Sequence, residues 1–309
     1  ADITALAPTL QLTEGATVEP ASGTVHDFSK GPVVYTTTSE DGNWHRTYKM
    51  QFVPTVVTVK DSLAFTFDDY SLETTQGKYY VFHTDALDAD WATGNPGFNL
   101  SMGTAKPEEY PTYPNPNGHT GACAALTTRS TGAFGVMVNK RIAAGNLFLG
   151  TFDLQQALTN TLHATRFGVP FSMKPVTLKG WYNYQPGETY QDAFGKALEG
   201  KSDHGAIYAV LYRNHDDAGN EVVLFGDNVK TSQQVVAIAD LGDIGQTNGW
   251  QPFEAQFLYR QNIDEETLRN MGYSLAIVFS SSNEGDKFEG AVGSTLLIDD
   301  VSIISQKQE

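Results

Sequence analysis

Aromatic and amide side chains of the kind that bind sugars alternate in the run LKGWYNYQPGE, at residues 178–188. A pyranose needs a flat aromatic face for its C–H groups and nearby polar side chains for its hydroxyls. Successive strand residues point to opposite faces, so Trp181 and Asn183 share one face while Tyr182 and Tyr184 share the other. One face is expected to be core, and a core position is favoured for Trp181. We expect Tyr182 and Tyr184 to contact a carbohydrate.

A second candidate segment, residues 88–121, is rich in Gly, Pro and Asn and still contains aromatic side chains. A loop of this length without secondary structure is functional or disordered, and the aromatic residues favour the ordered alternative. We expect Trp91 and Asn95 to contact the same sugar as the tyrosines, with Arg213 as a further donor to its hydroxyls. The alternatives are that Trp91 fills the core beneath the loop and that Asn95 is a turn residue before Pro96.

Two adjacent carboxylates, Asp299 and Asp300, interrupt an apolar run near the end of the sequence. One of them must point inward or into a loop junction, where it needs a donor or a cation to offset the loss of hydration. The first and last strands of the expected sandwich can meet, so Glu73 could join the pair, and such oxygen ligands suit calcium. We therefore expect a structural calcium site at Asp299, Asp300 and Glu73. The alternative is that the aspartates accept hydrogen bonds from backbone amides or basic side chains.

Carboxylate pairs also carry out glycoside hydrolysis, in which two acids about 5 to 10 Å apart flank the scissile bond and one has a raised pKa. The chain has 36 Asp and Glu residues, among which Glu188, Asp192 and Asp227 are candidates. No sequence feature selects one pair. The serines at 280–282 lack a Gly-x-Ser-x-Gly elbow, so they are not expected to be nucleophiles. No catalytic residue is therefore assigned, and the spacing of the seven histidines does not favour zinc.

The composition is that of a globular, acidic chain of 309 residues. Twenty Lys and Arg residues stand against 36 Asp and Glu residues, which gives a formal net charge of -16. This charge repels nucleic acid and anionic membrane surfaces, so neither is an expected partner. No apolar run approaches the roughly 20 residues of a membrane-spanning helix. The many Gly, Tyr, Phe, Ser and Thr residues favour an extracytoplasmic location, in the periplasm or on the outer cell surface, with lipid anchoring before processing as one form of it.

Short apolar runs separated by turn signals predict an all-β chain. The run YSLAIVFS at residues 273–280 is apolar on both faces of a strand, so it should lie inside a packed sandwich. Helix is expected over residues 264–270, with Asp264 as the N-cap and further acidic residues in the first turn. A second short helix is expected within residues 154–162.

The pattern also predicts two domains. Asp41 and Gly42 lie between two β-rich runs, which indicates a hairpin in a small first domain. Pro54 and the polar residues that follow interrupt the strand pattern, so the division is expected near residues 56–61. The expected domains are residues 1–58 and 59–309.

Several motifs occur in an order that resembles a known family. They are FTFDDY, DWATGNPGF, YPTYPN, ACAALTT, IAAGNLFLGTF, TRFGVPFSMKPVTLKGWYNYQPGE, IYAVLY, YSLAIVFSSS and FEGAVGSTLLIDDV, over about residues 63–305. The family is the putative carbohydrate metabolism domain, found in saccharolytic gut bacteria. The resemblance implies a jelly-roll β sandwich similar to galactose-binding modules. The motifs PASGTVHDFS and YTTTSEDGNW resemble the second half of the immunoglobulin-like β-sandwich module that commonly precedes this domain.

The residues and the resemblance together predict an extracytoplasmic carbohydrate-binding protein that takes part in glycan utilisation. Its partner would be an oligo- or polysaccharide, held by aromatic stacking and by hydrogen bonds from Asn, Asp and Arg. One alternative is a glycoside hydrolase that uses a carboxylate pair. The other is a cell-surface adhesion or scaffold protein that contacts another protein.

Overall fold

The chain separates into two compact units, Ala1–Thr58 and Val59–Glu309. A computed structural model describes residues 3–51 and 60–306 of the chain. The predicted division near residues 56–61 falls mostly outside the described residues. Each unit is described by itself.

The first unit contains one three-stranded antiparallel sheet in its described part, in the order β1-β2-β3. The strands are β1 (Thr17–Glu19), β2 (Val33–Thr38) and β3 (His45–Met50). The predicted hairpin joins β2 to β3. In its turn Gly42 has φ +70°, a backbone conformation that is unfavourable for residues with a side chain. The Asp41 carboxylate supports the turn by accepting hydrogen bonds from the Asn43 backbone and the Ser39 hydroxyl.

The second unit is also almost entirely β structure. Its strands are β4 (Lys60–Phe65), β5 (Tyr70–Leu72), β6 (Tyr80–Phe82), β7 (Trp91–Ala92), β8 (Thr112–Asn115), β9 (Cys123–Thr127), β10 (Arg129–Ser130), β11 (Ile142–Ala143), β12 (Asn146–Phe152), β13 (Thr165–Phe167), β14 (Val169–Phe171), β15 (Lys174–Gln185), β16 (Tyr190–Gln191), β17 (Gly205–Arg213), β18 (Val235–Ile244), β19 (Gln251–Gln256), β20 (Leu258–Tyr259), β21 (Tyr273–Ser280), β22 (Gly290–Ala291) and β23 (Thr295–Gln306). Its α-helices are α1 (Asn95–Met102), α2 (Gly132–Met137), α3 (Gln156–Thr159) and α4 (Glu265–Arg269). The prediction of an all-β chain is confirmed.

Two large antiparallel sheets form a sandwich. The ten-stranded sheet has the order β20-β18-β17-β21-β12-β7-β6-β5, with β13 paired to β12 and β14 to β21. The six-stranded sheet has the order β19-β15-β23-β9-β8, with β4 paired to β23. The main core lies between these sheets and draws side chains from both, such as Leu275 and Phe279 of β21 and Ile303 of β23. Burial on this scale, at about 25 cal/mol per Å² of apolar surface, is the main force that holds the sheets together.

The ten-stranded sheet is apolar on its outer face as well. Along β21, Leu275, Ile277 and Phe279 enter the main core, whereas Ala276 and Val278 belong to a second apolar cluster on the opposite face. The predicted two-sided burial of this strand is therefore confirmed. Part of the covering on the outer face comes from α1, α2, α3 and the loop after β21, which between them enclose a cavity.

The observed helices can be compared with the two helices predicted from the sequence. Helix α4 begins where predicted, and the Asp264 carboxylate accepts a hydrogen bond from the Thr267 backbone nitrogen at 2.7 Å. Helix α3 lies within the second predicted region. Helix α1 was not predicted: the segment 88–121 contains this helix, with Pro96 in its first turn, together with β7 and β8. The expectation of a long loop without its own secondary structure was wrong.

Candidate functional site: a cavity on the outer sheet face

A cavity of about 430 Å³ lies on the outer face of the ten-stranded sheet. Its floor is one row of side chains across three neighbouring strands, because Val278 pairs in register with Phe148 on one side and with Tyr208 on the other. These strands are β12, β21 and β17, and the register places the three side chains on the same face. The sheet therefore provides a rigid, aromatic base for a ligand.

The walls come from elements outside the sheet. Helix α1 contributes Phe98 and Leu100, and helix α2 contributes Phe134. Leu158 of α3 and the loop that contains Phe288 add further apolar surface. A cavity of this volume is within the usual size range of small-molecule sites, roughly 300 to 1,000 Å³.

The polar chemistry of the cavity is concentrated around Tyr208. The Lys230 ammonium lies 4.1 Å from the centroid of the Tyr208 ring and 2.8 Å from Oδ2 of Asp240. Burial raises the pKa of Tyr208, and the carboxylates of Asp240 and Asp286 raise it further. Among the residues that the structure describes, the Tyr208 hydroxyl has no hydrogen-bond partner. This neutral hydroxyl is free to bond a ligand in the cavity.

Three carboxylates also line the cavity: Asp227, Glu284 and Asp286. Loss of hydration raises the pKa of Asp286, Lys287 opposes the shift, and the nearby Glu284 carboxylate adds to it. Glu284 is ion-paired with Lys287, and Asp227 lies 3.2 Å from Nε2 of His163. The fold therefore favours the protonated form of Asp286. Such a group can donate or accept a hydrogen bond, depending on pH.

The loop that carries Asp286 is held in place by a buried carboxylate from another strand end. Oδ2 of Asp203 accepts hydrogen bonds from the Ser282 hydroxyl (2.6 Å), the Ser294 hydroxyl (2.7 Å) and the Ala291 backbone nitrogen (2.7 Å). Gly290 lies against this group at φ +152°, where a Cβ would come within 2.7 Å of the Ser282 Oγ. Asp203 therefore holds both ends of the segment 282–291, of which residues 282–288 line the cavity.

The structure places two of the predicted sugar-contacting residues inside the fold. Only 2% of the Trp91 surface is exposed, and its ring packs against Phe65 and Phe279 at centroid distances of 5.2 and 5.8 Å. Asn95 is fully buried and exchanges two hydrogen bonds with the backbone of Thr112, at 2.7 and 3.1 Å. Trp91 thus fills the core, and Asn95 joins α1 to β8. Neither side chain presents a surface to a ligand.

The two predicted tyrosines face the main core rather than a groove. Tyr184 is fully buried, and its hydroxyl donates to the Ser281 carbonyl at 3.0 Å. Tyr182 is half-buried, packs against the same core and meets the Phe253 ring edge-on at 6.1 Å. The structure therefore brings Trp91 and the tyrosines to one cluster between the sheets. Protein covers Trp91 and Tyr184 there and covers Tyr182 in part.

Arg213, the last predicted contact, lies apart from these residues at the end of β17. Its guanidinium pairs with Asp217 at 2.9 Å, and it lines a separate, shallow surface pocket together with His215 and Asp264. The sequence segment around α1 does line the cavity, through Gly94, Phe98 and other neighbours of Asn95. The prediction identified a relevant segment but not the side chains that face the cavity.

The carboxylates of the expected calcium site all have protein partners. Oδ2 of Asp299 accepts from the Thr120 backbone nitrogen at 2.9 Å, and burial raises the pKa of Asp299 despite this bond. Oδ2 of Asp300 lies 2.8 Å from Nδ1 of His119. Glu73 accepts from three backbone amides of its own turn, 75–78, which hold its pKa below the usual range although burial works in the opposite direction.

In the ranges 3–51 and 60–306, no group of three or more His, Cys, Asp or Glu side chains is placed to hold a metal ion. The partners of Asp299 and Asp300 correspond to the alternative in which these carboxylates bind protein donors. Calcium binding stays a prediction, and the melting temperature with and without EDTA tests it.

Tyr208 is a cavity residue that sequence reasoning missed, and it lies on a strand whose pattern gives no signal of a cavity. The run AIYAVLY of β17 is apolar on both faces, so alternation shows that it is buried but not which face borders a cavity. Tyr208 and Tyr212 are four residues apart on β17, so strand alternation places both on the same face of the sheet. Only the structure shows that the Tyr212 hydroxyl is bonded to the Phe167 carbonyl at 2.7 Å while that of Tyr208 is free.

Comparison with known proteins gives two matches to described families. Residues 66–304 match the putative carbohydrate metabolism domain, and residues 1–51 match the family described as SGBP, N-terminal. No match was found among curated proteins.

Two solved structures resemble the chain closely. One is a putative glycoside hydrolase from Bacteroides thetaiotaomicron, 40% identical, covering 100% of this chain and 88% of that chain with a TM-score of 0.74. The other is a putative glycoside hydrolase from Bacteroides vulgatus, 37% identical, covering 79% of this chain and 98% of that chain with a TM-score of 0.73.

Proposed function

We propose, from the premise that this chain belongs to the putative carbohydrate metabolism domain family, that it is an extracytoplasmic carbohydrate-binding protein that takes part in glycan utilisation. The sugar occupies the cavity on the outer face of the ten-stranded sheet. The family assignment and the carbohydrate-related descriptions of its relatives support the ligand class. The geometry of the cavity supports the position.

The row of Phe148, Val278 and Tyr208 is the observation that carries this proposal. Aromatic rings on a rigid sheet suit the C–H patches of a pyranose, and the free Tyr208 hydroxyl and the Asp286 carboxyl suit its hydroxyl groups. Interactions of both types from one concave surface are what sugar binding requires. An adhesion surface would be flat, whereas this surface is a cavity between helices and a sheet.

A glycoside hydrolase remains the second candidate because of one observation. Asp286 has a raised pKa and lies beside Glu284, and Asp227 lines the same cavity. A protonated acid near an ionised one is the arrangement that glycoside hydrolysis uses. Of the three carboxylates considered from the sequence, only Asp227 lines this cavity, whereas Glu188 and Asp192 do not.

The first unit supports the proposed location. Its match to the SGBP N-terminal family suggests the surface glycan-binding proteins to which that name refers. Within the described residues, no helix is long and apolar enough to cross a membrane. Fractionation of the native cells with an antibody against the chain tests the location.

A glycan array with the purified chain tests the proposed function, followed by product analysis on each bound glycan. Binding without product formation supports a binding protein. Release of shortened products, lost in Asp286→Asn, supports the hydrolase. Failure to bind any glycan on an array that covers plant, host and microbial polysaccharides contradicts both.

A further inference from the structure

Apolar side chains dominate the interior of the cavity far more than a plain sugar requires. Six phenylalanines line it: Phe98, Phe134, Phe148, Phe152, Phe167 and Phe288. An unsubstituted oligosaccharide carries hydroxyl groups around each ring, and those that meet apolar surface lose their hydration without gaining a partner. Much of the apolar surface in this cavity would therefore contribute nothing to the binding of an unsubstituted glycan, or would oppose it.

Several polar groups on the walls are already engaged with protein. The Lys140 ammonium donates to the carbonyl oxygens of Ala157 (2.8 Å) and Leu158 (3.2 Å), and burial lowers its pKa. Oδ1 of Asn146 accepts from the Gly94 backbone nitrogen at 2.6 Å. These contacts already engage the Lys140 ammonium and Oδ1 of Asn146, which leaves fewer polar atoms near α1 and α3 for the recognition of sugar hydroxyls.

Two other polar groups of the wall are also bonded to protein. The Asn283 amide donates to Asp243 at 2.6 Å, and Lys230 is paired with Asp240. Tyr208 and Asp286 are the polar groups to which we assign the hydroxyls of the ligand. The two groups are near each other, because the Asp286 carboxylate contributes to the raised pKa of Tyr208.

The apolar lining continues outward to the surface. Leu100 of α1, Phe134 of α2 and Leu158 of α3 line the cavity, yet 44%, 36% and 50% of their surfaces are exposed. Exposed apolar groups that are continuous with an apolar interior indicate a ligand that is itself apolar at that position. A ligand with one polar and one apolar part can place the polar part against Tyr208 and Asp286 and the apolar part against the apolar lining.

We propose that the ligand is a glycan that carries an apolar substituent, an aromatic or acyl group attached to the sugar. This inference rests on the proposed function and names its ligand class. The sugar lies against Tyr208 and Asp286, and the substituent lies among the phenylalanines toward α1, α2 and α3. The volume of about 430 Å³ suits one or two sugar units with such a group.

Matched glycosides test this directly. Methyl and 4-nitrophenyl β-glycosides of the common hexoses and pentoses are titrated into the full chain by calorimetry, with 4-nitrophenol alone as a control. We expect the aryl form of at least one sugar to bind about tenfold more tightly than its methyl form, or better, since burial of an aromatic group is worth at least that factor. It should also bind more tightly than 4-nitrophenol.

The possible contradictions are distinct. If plain glycans bind on the array but no aryl glycoside binds at least tenfold more tightly than its methyl form, the inference is overturned and the proposed function stands. The same holds if plain glycans bind on the array and no glycoside in the panel binds. If 4-nitrophenol binds as tightly as the glycosides, the sugar contributes nothing and the inference is also overturned. If the array and the panel are both negative, the proposed function fails as well.

Variants at the rim locate the substituent. Phe134→Ser and Leu158→Ser should reduce the advantage of the aryl form over the methyl form to less than threefold. Met137→Ser is the matched control, because Met137 lies on α2 with 72% of its surface exposed and does not line the cavity. An equal advantage of the aryl form in all three variants and in the parent chain would contradict the placement of the substituent toward α1, α2 and α3. A melting curve for each variant checks that it is folded.

Discussion

At the scale of single residues, Asp286 is a carboxyl of the cavity whose pKa the fold raises. Its carboxyl lies among apolar side chains and near the Glu284 carboxylate, so its charged form is disfavoured. The folded protein therefore holds this proton more tightly than the unfolded chain. Stability contributed by the group is greatest at low pH and is lost as the pH rises from the usual value of 3.8 through the raised pKa.

Replacement of this carboxyl should remove the pH dependence that it causes. We expect Asp286→Asn to raise the melting temperature at pH 7, where the parent chain carries a poorly hydrated charge, and to have a smaller effect at pH 4. Differential scanning calorimetry at both values measures the difference. Glu188→Gln is the control, because Glu188 is exposed and does not line the cavity. A variant that is less stable than the parent at pH 7 would contradict this account.

The sequence identified aromatic side chains but not their surroundings. Trp91 and Tyr184 are large rings near polar residues in the sequence, which is also the pattern of a stacking platform. In the folded chain they are buried because each lies on the inner face of its sheet. Alternation along a strand defines two faces, and the choice between core and surface depends on the partner sheet.

At the scale of elements, the cavity depends on a loop that is held by one buried acid. Asp203 accepts bonds from Ser282, Ser294 and the Ala291 backbone, and these groups flank the turn that carries Asp286. The Ser282 hydroxyl also lies 2.6 Å from the Thr128 hydroxyl, which extends the hydrogen-bond network into the body of the unit. The position of the Asp286 turn is thus determined by contacts outside the cavity.

Loss of this anchor should affect stability and binding together. We expect Asp203→Ala to cost about 3 kcal/mol or more of unfolding free energy, because each buried donor left unpaired costs about 1 to 3 kcal/mol. Urea unfolding measures this cost, and hydrogen exchange should become faster at the Ala291 amide. Asp217→Asn, at a side chain that is 91% exposed, is the control and should change neither quantity. Unchanged exchange at Ala291 in Asp203→Ala would contradict the anchoring role.

Strands were easier to predict than the helices that complete the cavity. The two-sided apolar pattern of β21 and the N-cap at Asp264 are local signals, and both predictions were confirmed. Helix α1 has Gly and Pro at its start and few strong helix formers, so local propensity favoured a loop. Its helical form depends on packing against the rest of the unit, which sequence patterns do not show.

At the scale of the whole molecule, all cavity residues belong to the second unit. They lie between Gly94 and Phe288, within the part of the chain that matches the family domain. The first unit has its own sheet and its own buried residues, including Phe28 and Tyr35. Glycan binding should therefore be a property of the second unit.

Limited proteolysis tests this division. The polar residues after Pro54 predict a domain boundary near residues 56–61, so cleavage there should give a large fragment that binds the same glycan with an affinity within about twofold of the intact chain. Mass spectrometry locates the cut, and calorimetry on the purified fragment measures the affinity. A fall of tenfold or more in affinity would show that the first unit contributes to the site.

The most direct test of the central claim compares two tyrosines on the same strand. Tyr208→Phe and Tyr212→Phe each remove one hydroxyl from β17, and calorimetry measures their binding to a glycan identified on the array. We expect Tyr208→Phe to weaken binding by about 2- to 13-fold, corresponding to roughly 0.5 to 1.5 kcal/mol for one hydrogen bond, without loss of stability. Tyr212→Phe should lose stability, because its hydroxyl bonds the Phe167 carbonyl, and should bind as the parent does. Unchanged affinity in Tyr208→Phe, or an equal loss in both variants, would contradict the placement of the glycan in this cavity.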